Sequence, residues 1–343
     1  MVENGFDTPG RTTWAGRASG CWRAADDLRP LTAPGSRQPH LMVVVDTEEE
    51  FDWSQPGDPR ARGVDALAAL PRLQELCAGF DIVPTYVVTW PVLESDRAMA
   101  RLESWWRQGE AEFGLHLHAW VTPPFDGPAG ETFQANLPPE LERAKLARLR
   151  DGFLARFGTV PRVHKAGRYG IGRQTLPALV DLGIDIDTSL SPPFDYSDLG
   201  GPDFAAIDAR PAWLVPGRLL SLPTTGGHIG PLSAVGSRNT AVDPLLCRLR
   251  LRRRLRLSPE GAGFGALRAL TRALLARGIR DFTLSLHSPS LDPGRTPYVR
   301  DESDRRALLA TCRRYFAWFR DRLQGSFARV SEVADDHRAL ETL

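Results

Sequence analysis

Short apolar runs alternate with amphipathic stretches along most of the chain from residue 40 onward. Leu41–Val45 (LMVVV) has no polar interruption, as in a strand buried on both faces. Asp65–Cys77 has apolar residues at helical spacing, with Pro71 set where it disturbs the first half. Val83–Val88 reads as a second strand, Asp96–Gln108 as a helix, Ala111–His116 as a third strand and 117–136 as a Pro/Gly-rich loop. Leu141–Phe157 is the clearest helix, stopped by Gly158–Pro161. Strands then fit Arg162–Ala166, Ile184–Thr188, Leu219–Leu222, Asp281–Leu286 and a last one near Phe327–Val330. Helices over Leu176–Leu182, Phe264–Arg277 and Glu302–Leu323 separate some of them.

Strands that alternate with helices predict an α/β fold with a mostly parallel sheet. About seven to eight of them suggest a closed or distorted (β/α) barrel, with an open doubly wound sheet as the alternative. Residues 1–39 are polar and Pro/Gly-rich and read as an N-terminal arm, with Trp14 and Trp22 as its anchors. Residues 40–343 then form one domain, in which 190–262, richer in Pro, Gly and Arg, reads as an elaborated insertion.

Composition narrows the function classes. Hydrophobic residues make up 42% and charged residues 25% of the 343, a globular balance that excludes wholesale disorder. The 43 basic and 42 acidic residues leave a net charge of +1, so no global field points to nucleic acid or an anionic membrane. The basic run 248–256 (RLRLRRRLR) carries no interleaved aromatics and reads as a solvated helix face. Cys21, Cys77, Cys247 and Cys312 form no CxxC pair, which argues against a disulfide scaffold or a cysteine zinc site. The start of the chain shows no secretory pattern, and no run of about 18 apolar residues exists to span a bilayer, so a cytoplasmic location is expected.

The chemistry-bearing residues cluster where strands end, the rim on which barrel enzymes place their catalytic groups. Asp46, Thr47 and Glu48 follow LMVVV. His116 ends AEFGLH, with His118 and Trp120 beyond it. Lys165 and Arg168 follow the fourth strand, Asp187 the fifth and His287 the seventh. Two imidazoles and a carboxylate are a common zinc set that leaves a position for water. At i and i+2 on extended backbone, Asp46 and Glu48 share a side, so one can bind a cation while the other takes a proton from water. His116 and His118 share a side in the same way. Each feature also has a plainer reading: an acidic run as a solvated loop, the histidines as packed or surface residues, Lys165 and Arg168 as surface charges. His40 and His337 fall near domain edges, His164 suits packing, and His228 could face substrate from the insertion.

Five motifs taken together resemble the polysaccharide deacetylase (NodB-homology, carbohydrate esterase family 4) superfamily, over residues 40–333. They are VVVDTEEEFDW (43–53), EFGLHLHAWVTPP (112–124), HKAGRYGIG (164–172), DTSLSP (187–192) and TLSLHSPSLDPGRTPYV (283–299). The branch resembled is the one with DTEEEFDW and HLHAW. The resemblance implies a distorted (β/α) barrel, a divalent metal, most simply Zn2+, and hydrolysis of an N-acyl group, most often N-acetyl on an amino sugar. It also implies roles: Asp46 as base, Glu48 and His116 as metal ligands, His287 as proton donor and the backbone near Tyr169 as oxyanion donor. The family's second histidine falls four positions after the first, where this chain has Trp120, and His118 is the substitute. Lys165 stands where the family's base-orienting arginine is expected, with Arg168 nearby. Trp53, Trp120 and Tyr298 are taken as water-facing rings that could stack on a sugar. Two rivals stay open: a small-molecule amide or C–N hydrolase of a biosynthetic pathway, and a catalytically silent carbohydrate-binding relative. The expected partner is an acylated sugar or small molecule, with no nucleic acid and no membrane span; the sequence does not set the oligomeric state.

Overall fold

The structure, a computed structural model, describes residues 37–128, 130–232 and 251–341, together with 22, 28, 30 and 31 of the arm. Trp14, Cys21, Cys247 and the start of the basic run, 248–250, lie outside the described residues. The strands are β1 (His40–Thr47), β2 (Thr85–Val88), β3 (Glu112–Leu117), β4 (Val163–Ala166), β5 (Ile186–Asp187), β6 (Ala212–Val215), β7 (Leu219–Ser221), β8 (Gly226–Ile229), β9 (Arg253–Arg256), β10 (Asp281–His287) and β11 (Ser326–Phe327). The described helices are α1 (Pro71–Ala78), α2 (Trp90–Glu94), α3 (Asp96–Arg107), α4 (Pro139–Phe157), α5 (Thr175–Asp181), α6 (Phe264–Leu275), α7 (Glu302–Leu323) and α8 (Val330–Glu341).

Nine strands form one curled sheet in the order β10–β1–β2–β3–β4–β5–β7–β6, with β11 beside β1. All neighbours run parallel except β6, which is antiparallel to β7. The chain steps in one direction from β1 to β5, and β10 returns to the free side of β1. That is barrel order, without the reversal of a doubly wound sheet. The result is a distorted (β/α) half-barrel.

Alternation along β1 sets the two sides. Leu41, Val43 and Val45 pack outward with helical residues such as Leu73, Leu102, Leu149 and Phe316. Met42 and Val44 point inward and meet Val87, Val163, Ile186 and Leu220. Val330, Val333 and Ala334 of α8 join this inner cluster, so the last helix stoppers the lower end of the barrel. The N-terminus of α8 is held by Glu112 of β3, whose carboxylate accepts from the backbone N–H groups of Val330 (3.1 Å) and Ser331 (3.2 Å). A carboxylate there satisfies unpaired helix donors and suits the helix dipole. Val330 thus opens a helix and does not end a strand.

Two other predicted elements differ. Asp65–Ala69 is a 3-10 turn and the α-helix begins at Pro71, because proline lacks the N–H that a helix interior needs but a first position does not. Residues 253–256 of the basic run form a strand, not a helix face: β9 pairs antiparallel with β8, and the period-2 positions Leu255 and Leu257 are buried. The stretch 190–262 supplies sheet strands β6 and β7 as well as this ribbon. Of the arm, Trp22 is buried and its carbonyl accepts from Asp203 N–H, and Pro30 bridges to Ala212. Cys77 and Cys312 are buried free thiols. Among the described residues, no helix is long and apolar enough to cross a membrane.

Candidate active site

The inward faces of four strands turn from apolar to polar at their C-terminal ends. On β1 the series Met42, Val44 continues as Asp46 and, just past the strand, Glu48. On β10, Ser285 sits beside Val44 and His287 beside Asp46. Gly114, His116 and His118 follow the same period on and after β3, and Val163 and Lys165 on β4, with His116 in register with Lys165. Gly114 is required where β3 meets β4, since a Cβ there would lie 2.6 Å from the Val163 carbonyl oxygen.

Glu48, His116 and His118 converge, all buried, with one potential ligand atom from each within 4.8 Å of the others. A Glu48 oxygen lies 3.5 Å from His116 Nε2 and 3.4 Å from His118 Nε2. The far ring nitrogens are held from behind: His116 Nδ1 by the Lys165 carbonyl at 2.9 Å and His118 Nδ1 by Glu49 at 2.6 Å. Both imidazoles therefore present Nε2 to one point. Burial, then the charges of Asp46, Glu49 and Glu260, push the Glu48 carboxyl well above its ordinary range. Its Oε1 has no hydrogen-bond partner among the described residues. Burial pushes His116 well below the usual histidine range, toward the neutral form a metal requires. A buried carboxyl group with one oxygen beside two imidazole Nε2 atoms and the other unmet suits a divalent cation.

Asp46 lies beside this group. The Lys165 ammonium donates to both of its oxygens, at 2.6 and 2.7 Å. Burial alone would raise the Asp46 carboxyl, but Lys165, His116 and His287 outweigh it and bring it to about 2, so it is ionised near neutrality. His287 Nε2 stands 3.6 Å from Asp46. The Nδ1 of the same ring bonds Glu260 at 2.8 Å, and Glu260 also accepts the His287 backbone N–H and the Ser290 hydroxyl. His287 is thus fixed in orientation with its other nitrogen toward Asp46.

These groups line a cleft of about 410 Å³, open mouth included, with Phe51, Trp53, Pro56, Ala166, Arg168 and Tyr169 as its other walls. Trp53 packs against His287 and Tyr298, with ring centres 4.9 and 5.7 Å apart. Tyr169 sits at the wall in the left-handed region (φ 59°), directly after Arg168 (φ 50°), a costly pair for non-glycine residues. Its ring faces Lys165 on one side and Arg256 on another. Arg168 donates to the Thr132 hydroxyl at 2.6 Å and lies over Phe133, while Lys165 makes the contact with Asp46. Trp120 does not face water: it is buried and stacked on His118 at 4.1 Å. His228, on the β8–β9 ribbon, bonds Arg252 and is not among the cleft residues. Burial first, then Arg252, lowers its pKa to about 3.

Sequence reasoning missed Glu260 as a partner of His287. Glu260 follows the arginine-rich run 248–256 inside the apparent insertion, and no motif marks it. Phe51, a wall of the cleft, had no signal beyond lying inside DTEEEFDW.

No protein-family profile and no curated protein matches this sequence. The fold does have known likenesses. A Mycobacterium smegmatis protein named a "putative polysaccharide deacetylase" superposes with a TM-score of 0.55 at 16% identity, over 92% of this chain and 96% of its own. PuuE allantoinase does so with a TM-score of 0.51 at 16% identity, over 91% and 97%. A Parabacteroides distasonis protein named a "putative glycoside hydrolase/deacetylase" gives 0.55 at 11% identity, over 88% and 72%. At these identities the likeness is one of fold.

Proposed function

We propose that this protein is a metal-dependent hydrolase that removes an N-acyl group, most simply N-acetyl, from an amino sugar or a sugar-containing metabolite. One observation carries the reading: an ionised, lysine-held Asp46 and a carboxylate-held His287 stand side by side next to a Glu-His-His group able to hold a cation. Glu48, His116 and His118 would hold the metal, Zn2+ by the donor set. A divalent cation supplies Lewis acidity and lowers the pKa of water to about 7.

The protein's own groups account for the rest. Asp46 accepts the proton of the attacking water, and Lys165 keeps its carboxylate charged and aimed. By the family resemblance, the backbone N–H near Tyr169 would stabilise the developing oxyanion. His287, oriented by Glu260, gives its proton to the departing nitrogen, since an amine leaves poorly unless protonated. Trp53, a wall of the cleft, would offer an apolar face for a sugar ring beside that leaving group.

A second reading keeps the chemistry and changes the substrate: a small-molecule C–N hydrolase, which the allantoinase likeness would also suit. Metal analysis of the purified protein, with a screen of acetylated sugars, sugar polymers and small cyclic or linear amides, separates the two. Turnover of an N-acetylated sugar supports the first, turnover confined to small amides the second, and bound metal with no hydrolysis of any substrate overturns both.

A further inference from the structure

We infer that Glu49 is a positioning residue for the metal centre, whose carboxylate fixes the tautomer and angle of His118 and so lets the second imidazole come only two residues after the first. The inference rests on the metal-dependent reading above and adds a residue to it. Glu49 is wholly buried, and its Oε1 lies 2.6 Å from His118 Nδ1. An Nδ1–H donated to that carboxylate leaves the lone pair on Nε2, the nitrogen that faces Glu48 at 3.4 Å. Glu49 stands on the Nδ1 side of the ring, and the two imidazole nitrogens point in divergent directions. It is therefore placed to hold the ligand from behind.

His118 needs such a clamp because it lies one residue beyond the end of β3, where the sheet no longer sets its direction. Two further contacts complete the slot. Trp120 stacks on the ring at 4.1 Å and 24° between planes. Gly167 leaves the space that the ring occupies, since a Cβ there would come within 2.5 Å of His118 Cδ2 and 2.5 Å of the Leu117 carbonyl. The aromatic at the +4 position thus packs the ligand, and the adjacent glutamate orients it. Polarisation of the imidazole by a cation strengthens the hydrogen bond to Glu49, so the two events support each other.

The test is Zn2+ titration of the apoprotein against a competing chelator, with the visible spectrum of the Co2+ form as a second readout. Wild type should bind one equivalent, and His118→Ala should lose most of that affinity. Glu49→Ala should weaken binding 10- to 100-fold at unchanged stoichiometry. Glu49→Gln, which keeps an acceptor oxygen but not the charge, should recover part of the loss. Should Glu49→Ala fail to fold, Glu49→Gln and Gly167→Ala carry the test, the latter by pushing the ring out of its slot with Glu49 intact. Both Glu49 variants binding Zn2+ as wild type does, while His118→Ala loses it, would overturn the inference and leave the metal centre standing. A Glu49→Gln variant as defective as Glu48→Gln, with a Co2+ spectrum showing one ligand fewer, would also overturn it, because Glu49 would then be a ligand. Wild type that binds neither ion overturns the metal reading itself.

Discussion

At the upper end of the β1–β10 pair, Asp46 of β1 faces His287 of β10; at the lower end, His40 of β1 faces Asp281 of β10. The residue types are the same and their order is exchanged. Below, Asp281 is drawn into a closed cluster with His337 of α8 at 2.8 Å, His40 at 3.3 Å and Arg37 at 3.4 Å. Burial opposes its charge, but the hydrogen bonds and charges of these partners prevail and hold the carboxyl below the ordinary range. Above, Lys165 pairs with Asp46, and the group borders a cleft. On the proposed reading, an Asp–His pair serves structure where a helix seals it and chemistry where a loop leaves it open. Charge alone does not distinguish the two.

The sharpest way to break the comparison is to remove a ligand above. His116→Ala should abolish metal binding and bring hydrolysis to background, as read by metal content and turnover, with the fold retained. Removing Asp46 or His287 should cost less. Asp46→Asn should lower turnover by about 10²–10⁴ while metal content stays near one per chain. If that variant loses its metal, Asp46 is a ligand and the base lies elsewhere. His287→Ala should fall by about the same range on an amide, and by less on an ester with a good leaving group. Equal losses on the two substrates would make His287 a structural residue like its lower counterpart.

The lower end should respond on a different axis. Asp281→Ala removes the buried carboxylate that His337, His40 and Arg37 share and should destabilise by about 3–5 kcal/mol in denaturant titration, with turnover per folded molecule unchanged. The smallest effect is in pH. A depressed carboxyl stabilises the fold fully above the ordinary carboxylate value near 4, and that contribution is lost as pH falls through the depressed value. Asp281→Asn should therefore flatten the acid limb of stability below about pH 4, and an unchanged limb would place acid sensitivity elsewhere.

The strand-end residues Asp46, Glu48, His116, Lys165 and His287 were legible because the sheet's period of two and the apolar runs before them fix their side and their rim. The barrel was legible for the same reason. What the sequence hid depends on contacts between distant segments. Glu260 lies in a stretch that looks like an insertion, and it reaches His287 where the chain after β9 runs along β10, Ser285 N–H donating to the Leu257 carbonyl at 3.0 Å. Trp120 reads as a surface ring because nothing in the sequence shows that it packs against His118. His228 is drawn to Arg252 by the β8–β9 ribbon. The basic run misled because period-2 burial of Leu255 and Leu257 is masked by arginines that the ribbon partly tucks against aromatic rings such as Phe194.

The pairing of β10 with β1 also has a consequence in time. Glu48 donates its backbone N–H to the Ser288 hydroxyl across 240 residues of sequence. Contacts of such separation form slowly, because the intervening chain must first be ordered. A chain emerging from the ribosome carries Glu48, His116 and His118 long before His287 is made. On the proposed reading, activity should appear only once β10 has joined the sheet and brought His287 beside Asp46.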